Sequence, residues 1–100
     1  MLSNIVAIAS FGDKRTEKIW LGRRVPKLSA PLYQKAQRRL SYIEAAETLD
    51  DLRVPPSNRL EKKKGDLKEF YSIRVNSQWR IIFRWVDGKA EDVEFVDYHR

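Results

Sequence analysis

The chain contains no cysteine, so disulfides, thiolate metal sites and a cysteine nucleophile are excluded. Its single histidine, His99, excludes an all-histidine metal centre. Long apolar runs are also missing. The longest, Ile5 to Ala9, is far short of the about 20 residues needed to cross a bilayer. The N-terminus lacks the basic start and extended apolar region of a signal peptide, so the expectation is a cytoplasmic protein with no membrane association. Acidic residues are in the minority: 14 Asp and Glu stand against 20 Lys and Arg, a formal charge of +6. That balance points to an anionic partner, most simply nucleic acid. At 42% hydrophobic and 34% charged the composition is that of a folding chain, and 100 residues suit one domain spanning 1–100.

Residues 5–11, with β-branched Ile5, Val6 and Ile8, predict an opening strand. Asp13 suits the cap of a short helix running to about Leu21, with Gly22 as its stop. A longer helix starts near Pro31, where Leu32, Ala36, Leu40, Ile43 and Ala46 recur at three- and four-residue spacing to form one apolar stripe. Pro55-Pro56 and the run Lys62-Lys63-Lys64-Gly65-Asp66 mark an irregular stretch. From Glu69 onward the hydrophobic period becomes two. The three tryptophans, Trp20, Trp79 and Trp85, read as core or core rim.

The strand register follows from keeping large side chains on one face. Pairing Val75 with Trp79, Ile73 with Ile81 and Tyr71 with Phe83 does so, and requires a three-residue loop, Asn76-Ser77-Gln78. A two-residue loop would set Ile73 against Arg80. In the next hairpin Phe83 pairs with Val93 and Ile81 with Phe95. Asp87-Gly88 signals a tight turn there, and the two requirements meet only through a bulge or a longer loop. The opposite face then carries Arg74 directly across from Arg80, with Ser72 and Arg84 further along. Asp92 can relieve Arg84, whereas Arg74 and Arg80 are expected to lack a counter-ion, since Val96 falls beside Arg80. Like charges opposed across strands cost up to about 1 kcal/mol, a cost that a bound anion removes. The charge distribution agrees: residues 53–84 hold nine basic and three acidic residues, and residues 85–100 two basic and five acidic.

Leu60-Glu61-Lys62-Lys63-Lys64-Gly65-Asp66, then Tyr71-Ser72-Ile73-Arg74-Val75-Asn76, Trp79-Arg80-Ile81 and Phe83, then Asp97-Tyr98-His99, resemble the HigB toxins of the RelE/ParE superfamily of type II toxin–antitoxin systems. The likeness covers nearly the whole chain, in order. It implies an α+β, RelE-like small domain: two N-terminal helices packed on a mainly antiparallel four-stranded sheet, in the order β-α-α-β-β-β. It further implies a toxin that acts as a metal-independent, ribosome-dependent mRNA endoribonuclease without a cofactor and inhibits translation and growth. The implied partners are mRNA on the 70S ribosome and a cognate helix-turn-helix, HigA-like antitoxin, the free toxin being monomeric. Carried over by motif, the catalytic residues fall on Lys64, Arg80, Asp97, Tyr98 and His99. Glu61 stands where many members carry histidine and others glutamate. Arg74, Arg84, Lys62, Lys63 and Lys68 are the expected RNA contacts.

The residue types suit such chemistry. When a ribose 2′-OH attacks its own phosphate, a base must take that proton, an acid must protonate the leaving 5′-oxygen, and cations must steady the phosphorane. The planar fork of Arg80 can hold two phosphate oxygens, and Lys64 adds a point charge. His99 has an ordinary pKa of about 6.5 and can give or take a proton near neutrality. Asp97 or Glu61 can serve as base or orient a partner, and Tyr98 can orient, donate a proton or stack. Strand alternation puts Asp97 and His99 on one side and Tyr98 on the other, and the Lys64 loop must fold back to reach them. Two other readings stay open: a ParE-like toxin that poisons DNA gyrase, and a non-catalytic RNA- or antitoxin-binding module.

Overall fold

A computed structural model of the chain describes residues 7–67 and 69–98, Leu67 by its backbone only. Two helices come first. Helix α1 spans Lys14–Trp20, and its N-terminus is closed by Asp13, whose Oδ1 accepts from the Thr16 N–H at 2.8 Å. Gly22, at φ 75°, lies just past its C-terminal end. Helix α2 spans Ala30–Ala45, with Ser29 as its cap and a proline in its first turn. Ala36, Leu40 and Ile43, members of the apolar stripe, are fully buried against the sheet.

The sheet holds β1 (Glu61–Lys62), β2 (Phe70–Arg74), β3 (Trp79–Val86) and β4 (Lys89–Asp97) in that spatial order, every pair antiparallel. Short 3₁₀ turns at Leu49–Arg53, Pro56–Asn58 and Gly65–Leu67 connect α2 to β2. The β2–β3 register is the one the side-chain sorting requires: Tyr71 faces Phe83, Ile73 faces Ile81 and Arg74 faces Arg80. Val75 N–H donates to the Trp79 carbonyl at 2.9 Å and closes the Asn76-Ser77-Gln78 loop.

In the β3–β4 hairpin both demands are met at once. Asp87 (φ 52°) and Gly88 (φ 78°) make a two-residue turn. A bulge between Ile82 and Arg84 then shifts the ladder, with Asp92 at φ 55°, so that Ile81 still faces Phe95.

One expected element takes a different form. Among its described residues the opening segment runs parallel to β4 in two isolated bridges, Ile8 with Ala90 and Phe11 with Val93; Ile5 and Val6 lie outside the described residues. The β4 bulge at Asp92 sits between the two bridge partners and interrupts the ladder. The sheet's fourth strand is instead β1, in a stretch that read as loop.

The core lies between the helices and one sheet face, where Ile73, Ile81, Phe83, Val93 and Phe95 meet Ile19, Leu40 and Ile43. Trp79 stacks on Phe95 with centroids 4.5 Å apart, and all three tryptophans pack on the core without being fully buried. Arg15 lies over both of those rings, 5.2 Å from each centroid, and its Nη2 donates to the Phe95 carbonyl at 2.8 Å. On the other side of that residue, the buried Thr16 Oγ1 accepts the Phe95 N–H at 2.9 Å. Helix α1 is thereby joined to β4 by polar as well as apolar contact.

Two outcomes follow for stability. Thr16→Val keeps the shape but leaves the Phe95 N–H without its acceptor, so unfolding in urea should show a loss of about 1–3 kcal/mol. Asp51 accepts backbone N–H bonds from Thr48 and Glu47, and chiefly these hold its carboxyl below its ordinary value of 3.8. Its contribution is present above that value and is lost as pH falls through the depressed one, because the unfolded chain takes up the proton first. The urea midpoint of Asp51→Asn should therefore fall less than the wild type's on acidification below about pH 4.

Candidate active site

Ser72, Arg74, Arg80 and Ile82 share the sheet face turned away from the helices, and Ser72, Arg80 and Ile82 are buried there. Arg80 is only 5% exposed. Its Nε donates to Ser72 Oγ at 2.8 Å, and its Nη2 donates to the Arg59 carbonyl at 2.6 Å and to the Ser72 carbonyl at 3.4 Å. A buried charge needs such bonds to be tolerated.

The Arg59 carbonyl is aimed by local structure. Arg59 follows the Pro56–Asn58 turn in the left-handed region, φ 48° and ψ 57°, a conformation costing a non-glycine residue about 1–2 kcal/mol. The turn is anchored by the buried Asn58, whose Nδ2 donates to the carbonyls of Leu52 at 3.1 Å and Val54 at 3.4 Å.

Arg80 was expected to have no counter-ion, and this is corrected. Because β1 pairs Glu61 with Ser72, the Glu61 carboxylate reaches 3.9 Å from Arg80 Nη2. That contact is long, and the short bonds of Arg80 all go to neutral oxygens. Burial, the largest influence, pushes the guanidinium below its ordinary pKa; Glu61 and Tyr98 push it up, and Arg74 and Arg59 push it down. Arg74, opposite Arg80, makes no ion pair among the described residues.

Tyr98 closes the arrangement from the end of β4. Its ring centroid lies 5.1 Å from the Arg80 Cζ and 3.9 Å from the Lys63 Nζ, so the ring sits between two cations. Its N–H donates to the Gln78 carbonyl at 2.6 Å. The Lys63 N–H donates to the Phe70 carbonyl at 2.8 Å and ties the lysine run to β2. Glu61, Lys62, Lys63, Lys64 and Tyr98 together line an open groove of about 570 Å³. The loop bearing Lys64 therefore does fold back.

Other expected residues are placed apart. Asp97 pairs with Trp79 and its Oδ2 accepts from Gln78 Nε2 at 3.1 Å, on the opposite side of the strand from Tyr98. Arg84 is held by Asp92 at 3.0 Å and Glu91 at 2.9 Å, with Glu69 at 3.9 Å, and so belongs to an internal ion-pair group. His99 and Lys68 lie outside the described residues. Among those described, no group of three or more His, Cys, Asp or Glu is placed to hold a metal ion, and no helix is long and apolar enough to cross a membrane.

Sequence reasoning missed the two groups that grip Arg80. Ser72 was visible only as a small hydroxyl on the arginine face, a weak signal. Nothing in the sequence announced the Arg59 carbonyl. Replacing Ser72 by alanine strips a buried charged donor of its acceptor, and should lower unfolding stability by about 1–3 kcal/mol. Ser72→Thr, which keeps the hydroxyl, should recover most of that loss in the same urea titration.

A family model described as a RelE-like toxin of the type II toxin–antitoxin system HigB matches residues 9–99. Toxin HigB-1 of Vibrio cholerae serotype O1 is 41% identical over 91 residues, covering 90% of this chain and 95% of that protein. An uncharacterized protein of Haemophilus influenzae is 37% identical over 73 residues, covering 73% of this chain and 71% of its own length. Endoribonuclease HigB of Proteus vulgaris is 34% identical over 61 residues, or 61% of this chain and 65% of that one.

Proposed function

This chain belongs to the HigB-like toxins of type II toxin–antitoxin systems, and on that premise we propose that it is a metal-independent endoribonuclease cutting mRNA on the translating ribosome. An antitoxin partner goes with the family. We take that partner to be a helix-turn-helix, HigA-like protein, and the free toxin to be a cytoplasmic monomer. The observation that carries the nuclease reading is the clamped Arg80, which lies beside a groove lined by Lys63, Lys64, Glu61 and Tyr98.

In the proposed reaction the ribose 2′-oxygen attacks the adjacent phosphorus, and the bond to the 5′-oxygen of the next nucleotide breaks. Charge grows on the phosphorane oxygens as this happens. Ser72 and Arg59 occupy the Nε and Nη2 of Arg80, which leaves Nη1 as the nitrogen for a phosphate oxygen. Lys64 adds a second positive charge from the groove wall.

Glu61 is the carboxylate next to the guanidinium, and we assign it the 2′-OH proton. His99 is assigned the proton for the leaving oxygen because its ordinary pKa is near neutrality. Asp97, on the strand end beside Gln78, is the second carboxylate, for orienting that donor. Tyr98, held between Lys63 and Arg80, offers a ring for a base to stack on.

Primer extension on a reporter message during induction tests the assignment. Arg80→Ala and His99→Ala should each reduce cutting by about 100-fold or more, with circular dichroism confirming that both remain folded. Glu61→Gln should reduce it by a similar factor. Unchanged cutting in folded Arg80→Ala would overturn the reading, as would trapped gyrase–DNA complexes in place of cut message. Cutting by purified protein on programmed ribosomes should persist when EDTA is added after assembly and free magnesium is held constant.

A further inference from the structure

A second basic groove, of about 620 Å³, is lined by Lys35, Arg39, Arg59, Arg74, Asn76 and Ser77 among others. Its four cations come from three parts of the fold: Lys35 and Arg39 are one turn apart on α2, Arg74 ends β2, and Arg59 follows the Pro56–Asn58 turn. No acidic residue lines it. None of the four cations makes an ion pair among the described residues, whereas Arg84 on the same sheet is held by three carboxylates.

One of the cations is fixed rather than waving in solvent. The Arg39 Nε donates to the Arg74 carbonyl at 2.9 Å, and its guanidinium lies 5.6 Å from the Tyr42 ring centroid. Arg74 stands directly across from Arg80. Positive groups converging from separate elements repel one another, and a polyanion removes that repulsion. Arg59 links this groove to the clamped guanidinium: its carbonyl binds Arg80, and the residue lines the second groove.

We propose that this groove is a second phosphate site, which takes the sugar–phosphate chain of the same single-stranded RNA a few nucleotides from the bond held at Arg80. The inference rests on Arg80 being a phosphate holder. It adds a footprint longer than the cleavage site and assigns phosphate contacts to Lys35, Arg39 and Arg59.

The test uses the full-length protein and fluorescent 2′-O-methyl RNA oligonucleotides, which lack the attacking hydroxyl, of about three and about nine nucleotides, titrated by anisotropy at several salt concentrations. The longer strand should bind more tightly and with the steeper salt dependence, since each single-strand phosphate contact adds about 0.7 to the slope. In the double variant Lys35→Gln with Arg39→Gln, both on helix α2 and outside the Arg80 clamp, the longer strand should lose about tenfold in affinity and about 1.4 in slope. Binding of the short strand should be unchanged.

No gain with length in the wild type, a gain that survives in the variant, or an equal loss for both strands would overturn the proposal. So would a loss confined to duplex RNA of matched length. Because these strands cannot be cut, the two readings fail separately. Cutting of message without a length gain removes the groove alone, and a length gain without cutting removes the nuclease assignment alone.

Discussion

The burial of the Arg80 guanidinium against neutral oxygens is the constraint on which the rest of this site depends. A guanidinium keeps its charge at any working pH, so taking it out of water is tolerated only with hydrogen-bond acceptors in place. Ser72 Oγ and the Arg59 carbonyl supply them at 2.8 and 2.6 Å. Neither carries a formal charge, so the bonds fix the orientation of the fork without cancelling its field. A short bidentate pair with a carboxylate would have secured the same side chain while closing it to an anion. Glu61, at 3.9 Å, falls short of that. Arg84, four residues further along β3 and just past the bulge, shows the contrast: its carboxylate partners stand at 2.9 and 3.0 Å.

Several features of the fold serve that geometry. The β2–β3 register puts Ser72 one step along the same face from Arg80. The β4 bulge lets a tight Asp87-Gly88 turn coexist with a core in which Ile81 faces Phe95, and so keeps Arg80 on the outer face. Buried Asn58 holds the Pro56–Asn58 turn whose following residue offers its carbonyl. Helix α1 reaches β4 through Thr16 and Arg15 at Phe95, two residues before the strand end that carries Asp97 and, just beyond it, Tyr98. Membership of the family brings an antitoxin partner.

The parts of this arrangement that were legible in the sequence are those governed by periodicity. Tyr71, Ile73, Trp79, Ile81 and Phe83 can share one face in only one register, and Arg74 then falls opposite Arg80 whatever the loops do. The cap Asp13 and the first-turn Pro31 were legible for the same local reason. What lay hidden depends on contacts distant in sequence. Strand β1 is two residues long, too short for any alternation to show, and without it Glu61 had no reason to approach Arg80. The Arg59 carbonyl is a backbone atom, which residue identity does not encode. The opening segment had strand composition, yet the bulge in its neighbour divides its pairing into two bridges.

The split at the end of β4 bears on how the proposed chemistry divides its labour. Extended backbone sends Asp97 toward Gln78 and Tyr98 toward Lys63 and Arg80, so the two side chains cannot both touch one phosphate while the strand persists. The carboxylate nearest the guanidinium is Glu61, from the opposite edge of the sheet. A reacting RNA would thus lie across the sheet from β1 toward the end of β4, with Arg80 beneath it, rather than along a single strand. Among the described residues, the groups able to move protons are few and sit at the margins of that path. An RNA free to tumble would seldom present its 2′-oxygen in line with the leaving group above Arg80, and orientation of this kind is worth orders of magnitude in rate. A site with well-fixed cations and sparse proton carriers is therefore suited to a strand already held in shape by something larger, and this is why the ribosome belongs in the proposed function rather than being an accessory to it.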